Sequence, residues 1–231
     1  MKILNLYAGI GGNRKLWGDE HDVTAVEFDP YIASVYAALY PQDEVIVTDA
    51  HQYLLDHYKE YDFIWASPPC PTHSQARSAR VHGGKVVPKY PDMKLYEEII
   101  FLKTFYSGKW VVENVTPYYK PLIEPTAVVE RHFIWSNETI EDKSFERDYN
   151  IGAATVKQLS DFHGILLPEG TKYQRKLLRN AVLPEMGKYI LDQVQHGSLI
   201  KSVQILNSIE TPLSKRRVIF SDGTISDEVT L

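Results

Sequence analysis

Short runs of strand-forming residues recur along this chain, and each gives way to a turn or a helix signal. The runs are KILNLY (2–7), VTAVEF (23–28), EVIVT (44–48), FIWA (63–66) and WVVENV (110–115). Asp29-Pro30 places an N-cap before a proline at the first helical position. Leu95, Ile99, Leu102 and Phe105 or Tyr106 form an apolar stripe at helical spacing within 92–106. Strands that alternate with helices pair in parallel, because each crossover returns the chain to the same end of the sheet. The expected fold is therefore α/β, a doubly wound, mostly parallel sheet. AVVERHFIW (127–135) is a candidate sixth strand that carries Arg131 among apolar neighbours.

Composition narrows the class. The 231 residues suit one α/β domain with a modest appendage, and 44% apolar with 24% charged residues is ordinary for a globular protein. No apolar run approaches the roughly 20 residues of a membrane span, and no secretory signal opens the chain. A reduced, cytoplasmic setting is expected. One cysteine excludes an intramolecular disulfide and any multi-cysteine metal site, and no metal is expected. The net charge of −5 argues against a general nucleic-acid coat but allows a local basic groove.

In such sheets ligands bind beyond the carboxyl ends of the strands, so the residues just after each run matter most. The first run enters AGIGGN, whose Gly9, Gly11 and Gly12 form either a tight turn or a loop that lets a nucleotide-type cofactor approach the backbone. The second ends at Glu27, placed to accept from ribose hydroxyls or to sit as a surface carboxylate. The third ends at Asp49, a helix N-cap or a ligand group, and both roles are compatible. The fourth runs through two prolines to Cys70, which reads as a nucleophile or as a small buried apolar residue. From Phe63 to Pro91 there is no Asp or Glu, while Arg77, Arg80, Lys85 and Lys89 are present. Cations there are expected to lower the thiol pKa and to attract a polyanion. The fifth carries Glu113, costly inside an apolar strand unless paired or functional. Lys172, Arg175, Lys176 and Arg179 make a second basic cluster, read as a turn ahead of a helix from Pro184 to Gly197. Asn137 to Gly170 has weak periodicity, and Asp222-Gly223 between alternating segments signals a hairpin in the tail.

Assembled in order, these blocks resemble the cytosine-C5 DNA methyltransferases over roughly residues 1–195. LYAGIGG resembles the family's cofactor loop, VEFDP its ribose-binding acid and SPPCPTHS its Pro-Cys block. VVENV resembles its Glu-Asn-Val block and RNAVLP its C-terminal Asn-Val block. The resemblance implies a sheet of the S-adenosylmethionine-dependent, Rossmann-like type. It also implies methyl transfer from S-adenosylmethionine to C5 of a cytosine flipped out of double-stranded DNA, with restriction–modification as one setting. Cys70 would add to C6, Glu113 would protonate N3 through a carboxyl whose pKa burial raises, and Arg131 would contact O2. Tyr7, Ala8, Gly9, Gly11, Gly12, Glu27, Phe28, Asp49, Ala50, Leu95, Asn180 and Val182 would surround the cofactor. Arg77, Arg80, Lys85, Lys89, Lys172, Arg175 and Lys176 would meet DNA.

The chain departs from the family's pattern in places. Pro71 stands where a Gln usually comes after Pro-Cys, Arg179 replaces a Gly, and only Arg131 remains of the arginine block. About 50 residues separate Arg131 from the Asn-Val block, where the family holds a sizeable recognition domain. The implied organisation is a catalytic domain over 1–197, with a reduced recognition region at 137–170, and a β appendage over 198–231 available to a protein partner or to self-association. Two other readings stay open: the same chemistry on RNA or a free cytosine nucleotide, and a non-catalytic regulator that keeps the fold.

Overall fold

The computed structural model describes residues 1–145 and 153–195, together with the backbone at 218–219 and 225–226. It divides into two compact units, Met1–Val194 and Gln195–Leu231.

In the first unit β1 (Lys2–Leu6) leads through the glycine loop and a 3-10 turn (Asn13–Leu16) to β2 (Asp22–Glu27). Helix α1 (Pro30–Leu39), β3 (Glu44–Val47), α2 (Ala50–His57) and β4 (Phe63–Ala66) come next. Then come α3 (Gln75–His82), α4 (Lys94–Phe105), β5 (Lys109–Val115), β6 (Ala127–Val129) and β7 (His132–Ser136). Helices α5 (Val156–His163), α6 (Gln174–Asn180) and, through residue 194, α7 (residues 184–195) complete it. The sheet order is β3-β2-β1-β4-β5-β7-β6; β1 to β5 pair in parallel, and β7 runs antiparallel to both neighbours. The expected doubly wound, mostly parallel sheet is what the chain forms.

Both faces of the sheet are covered, so alternate side chains along a strand enter different cores. Ile3, Phe63, Trp65 and Val111 face a cluster closed by Trp17, Met186, Ile190 and Val194. Leu4, Leu6, Ile64, Ala66 and Val112 face the opposite one, closed by Leu54, Leu95, Ile99 and Leu102. Burying this much apolar surface on two sides is what makes central strands read as continuous apolar runs.

Helix starts obey their caps. The Asp29 carboxylate accepts from Tyr31 N and Ile32 N, Asp49 from Gln52 N, and Thr155 forms a capping box with Gln158. Two expectations need correction. Residues 127–135 form two antiparallel strands instead of one, joined at Glu130-Arg131, with Glu130 at φ 58°. The apolar alternation continues on both sides of those charged residues, so it could not reveal a reversal. The basic turn before Pro184 is largely helix α6, because Leu177 and Leu178 pack against Ile10, Val35 and Leu159.

Val218–Ile219 and Ile225–Ser226 pair antiparallel. The tail hairpin's Asp222-Gly223 turn, and Gly197, lie outside the described residues. No helix among the described residues is long and apolar enough to cross a membrane.

Candidate active site

The chain leaves β3 for β4 by crossing to the far side of β1, so the strand order reverses between β1 and β4. Loops diverge at such a point and leave a crevice beyond the carboxyl ends. The glycine loop, Glu27, Asp49, Cys70 and Glu113 all lie at that edge. An antiparallel β7 begins where its parallel neighbours end, so His132 joins the same edge.

On the β1–β2 side, the Glu27 carboxylate accepts from Gly9 N and Asp29 N, each at 2.9 Å. A carboxylate has about four acceptor positions, so two remain for a ligand's hydroxyls. Gly9 has φ +56°, and a Cβ there would meet nothing within 4 Å, so the loop opens onto free space. A Cβ at Gly12 would stand 2.3 Å from the Val182 carbonyl, so the Asn-Val block packs directly on the glycine loop. Asn180, at the end of α6, is exposed. Trp17 Nε1 adds a bond to Gly187 O at 3.1 Å. Phe28 is 73% exposed beside Glu27, an uncovered ring suited to stack on a base. Asp49 caps α2 and lies 3.4 Å from Lys94 Nζ. Ala8, Ala50 and Leu95 are buried, so their contribution is to the walls beneath the crevice.

Sequence reading missed Glu98, which is fully buried. It accepts from the Tyr7 hydroxyl and lies 3.1 Å from His51 Nδ1, tying the glycine loop, α2 and α4 together. Burial foremost raises the Glu98 pKa, and its hydrogen bonds to His51 and Tyr7 oppose that. The bond to Glu98 is in turn the main reason the His51 pKa rises. A signal was available: Glu98 falls three residues after Leu95 and four before Leu102, inside the apolar stripe.

On the β4–β5 side, Asn114 Nδ2 donates to Pro68 O at 2.8 Å, and Trp65 Nε1 to Ser67 Oγ at 2.7 Å. His73 N and Ser74 N donate to Cys70 O, and Ser74 caps α3 through Arg77 N. His73 is fully buried with Nδ1 2.6 Å from the Tyr119 hydroxyl, and Asp92 N donates to Thr72 Oγ1 at 2.9 Å. The Cys70 loop is thus bonded on both flanks. Its thiol pKa is raised, by burial first and by the charge of Glu113 second. This corrects the expected depression. The cations of the basic stretch lie on α3 and the loop after it, and what surrounds the sulfur is protein interior and a carboxylate.

Glu113 is buried, and His132 Nε2 lies 3.6 Å from its Oε1. Arg131, expected within a strand, is exposed on the hairpin turn; its carbonyl accepts from Thr116 N at 2.9 Å and Thr116 Oγ1 at 3.0 Å. Sequence reading passed over His132 because a single long strand hides which residue comes first after the turn.

Half of the first basic stretch is helix α3. Arg77 is half-buried and donates from Nη2 to Val87 O at 2.8 Å, whereas Arg80, Lys85 and Lys89 are exposed. Lys172, Arg175 and Lys176 are exposed around the start of α6, and Arg175 Nε donates to Ala154 O at 3.0 Å.

A glycine loop, an acid ending β2 and a reversal of strand order at β1/β4 are common to nucleotide-binding Rossmann-like folds, and the antiparallel β7 inserted between β5 and β6 makes this sheet the S-adenosylmethionine-dependent methyltransferase type. Within that type, the model of the C-5 cytosine-specific DNA methylases matches residues 1–117, half of the chain, and the chain belongs to that family. No curated protein matches it. Solved structures are distant. A DNMT2 mutant from Spodoptera frugiperda is 20% identical over 64% of this chain and 56% of its own, with a TM-score of 0.44. The Entamoeba histolytica methyltransferase EhMeth is 10% identical over 69% and 64%, with a TM-score of 0.40. A putative DNA modification methyltransferase encoded within an E. coli prophage is 18% identical over 52% and 33%, with a TM-score of 0.34. The chain therefore spans less than two thirds of the length of each.

Proposed function

We propose that this chain is an enzyme that methylates C5 of cytosine in DNA, with Cys70 as nucleophile. The observation that carries the reading is the pairing of Cys70 and Glu113 at adjacent strand ends, joined by the Asn114–Pro68 bond. The open glycine loop and the half-used Glu27 carboxylate fit S-adenosylmethionine. When bound, that group supplies an electrophilic methyl. Glu27 would hold its ribose and Phe28 its adenine, with Asp49, Asn180 and Val182 around them and Tyr7 to Gly12 along the methionine.

C5 of cytosine is a weak nucleophile until a group adds at C6. The Cys70 thiolate forms the S–C6 bond, and the C5=C6 pair shifts toward N3, which takes a proton from Glu113. The enamine carbon C5 is then the nucleophile for the methyl that S-adenosylmethionine would supply, its sulfonium–methyl bond breaking to leave S-adenosylhomocysteine, while N3 returns its proton to Glu113. Loss of the C5 proton to a base returns the electron pair, re-forms C5=C6 and expels the thiolate. A raised thiol pKa means that Cys70 must give up its proton to solvent as the cytosine arrives. The target must leave the duplex stack to reach this edge. Arg80, Lys85 and Lys89 would face the phosphates on one side and Lys172, Arg175 and Lys176 on the other, while Arg77 steadies its own loop. With so short a recognition region at 137–170, we expect a permissive target sequence or a partner that selects sites.

The test is incubation with labelled S-adenosylmethionine and DNA, RNA or dCMP. Methyl uptake by DNA, and a denaturation-stable adduct with 5-fluorocytosine DNA that Cys70→Ala abolishes, are expected. Uptake by RNA or dCMP alone would refute the DNA assignment, and an adduct surviving in Cys70→Ala would refute the nucleophile.

A further inference from the structure

We infer that His132 is a base-contacting catalytic residue, donating a hydrogen bond from Nε2 to O2 of the cytosine that Glu113 meets at N3. This rests on the reaction proposed above.

His132 opens β7, and its register partner is Val115, two residues beyond Glu113 on the same face of β5. The geometry sets Nε2 3.6 Å from Glu113 Oε1, too long for a direct hydrogen bond. Two polar groups so spaced can instead bracket neighbouring atoms of one ligand. The protonation pattern is set by burial. His132 Nδ1 is buried without a hydrogen-bond partner among the described residues. A buried nitrogen left without a partner is tolerated better as a bare acceptor than as an N–H. Of the two ring nitrogens, Nε2, the one nearest Glu113, is therefore the donor.

The Watson–Crick edge of cytosine offers the N4 amine as donor, then N3 and O2 as acceptors. With Glu113 at N3, a second donor cannot serve the amine, which itself donates, so the matching atom is O2. Electron density that thiolate addition pushes into the ring falls partly on that oxygen. A donor held in place there stabilises the addition more than the ground state. Arg131, on the turn with its carbonyl engaged by Thr116, is the alternative occupant of this role.

The test compares His132→Ala, His132→Gln and Arg131→Ala on DNA carrying one target cytosine or 2-thiocytosine, whose sulfur is a poor acceptor. Single-turnover methylation is read together with exchange of the C5 hydrogen into deuterated water without cofactor. Exchange needs only addition at C6. We expect His132→Ala to lower both by roughly 10²-fold with cofactor affinity unchanged. His132→Gln, which keeps an N–H near the Nε2 position, should recover much of the loss. The sulfur substitution should slow the wild type comparably yet add less than about threefold in His132→Ala, because that variant has no donor for the sulfur to forfeit.

Equal sulfur penalties in wild type and His132→Ala would overturn the assignment. So would a His132→Ala rate within about threefold of wild type, or a sulfur penalty abolished by Arg131→Ala alone. A wild type that neither methylates nor exchanges any cytosine would instead overturn the reaction itself, and this role with it.

Discussion

Asn114 donates from Nδ2 to the Pro68 carbonyl at 2.8 Å, deep between β5 and the loop that carries Cys70. The same side chain accepts from Val115 N at 3.0 Å, so it holds the end of its own strand as well. Asn114→Ala leaves the buried Pro68 carbonyl without its donor. We expect a loss of about 1–3 kcal/mol in urea unfolding. Adduct formation at Cys70 should slow while cofactor affinity stays, because the loop is displaced and the glycine side is not. Wild-type unfolding and adduct rates in the variant would remove this linkage from the mechanism.

Burial and Glu113 both hold the Cys70 thiol pKa up. Alkylation by iodoacetamide should therefore rise with pH through a midpoint above that of an unperturbed cysteine. Glu113→Gln removes the repelling charge but keeps the burial, so its midpoint should fall only part of the way. A wild-type midpoint at or below the ordinary thiol value would return the sulfur to a cationic setting.

Glu27 serves two ends at once, the glycine loop through Gly9 and the start of α1 through Asp29. Glu27→Ala should weaken S-adenosylmethionine binding by about 1.5–3 kcal/mol in calorimetry, the range for hydrogen bonds to a charged group. Glu113→Gln should leave that affinity alone. Equal affinities in Glu27→Ala and wild type would sink the ribose assignment.

Arg80, Lys85 and Lys89 are exposed to solvent, while Arg77 is engaged with Val87. Neutralising the first three should flatten log K for DNA against log salt by about 0.9 for each phosphate that is no longer neutralised. Arg77→Gln should instead lower thermal stability by loosening the 83–91 segment. An unchanged slope in the triple variant would show that this stretch is a solvated face.

The order of β1 to β5 with helices α1, α2 and α4, the caps at Asp29 and Asp49, and the apolar runs that carry Ile3, Leu4, Phe63 and Trp65 were legible in the linear chain. Each depends on neighbours within a few residues or on a period of 2.0 or 3.6. The candidate site was legible in part, because in a parallel sheet every strand delivers its carboxyl end to one edge. Knowing where strands end is then enough to group Glu27, Asp49, Cys70 and Glu113 together. Everything beyond local pattern was decided in three dimensions. The reversal at Glu130-Arg131 turned one expected strand into two, put Arg131 on the turn and His132 at the start of β7, and depended on pairing with β5. Glu98 gained its partners from the glycine loop and α2, 91 and 47 residues away in sequence. The Cys70 thiol met a carboxylate and protein interior instead of its sequence-adjacent cations. Charge acts through space, and a folded chain places distant residues nearer than adjacent ones.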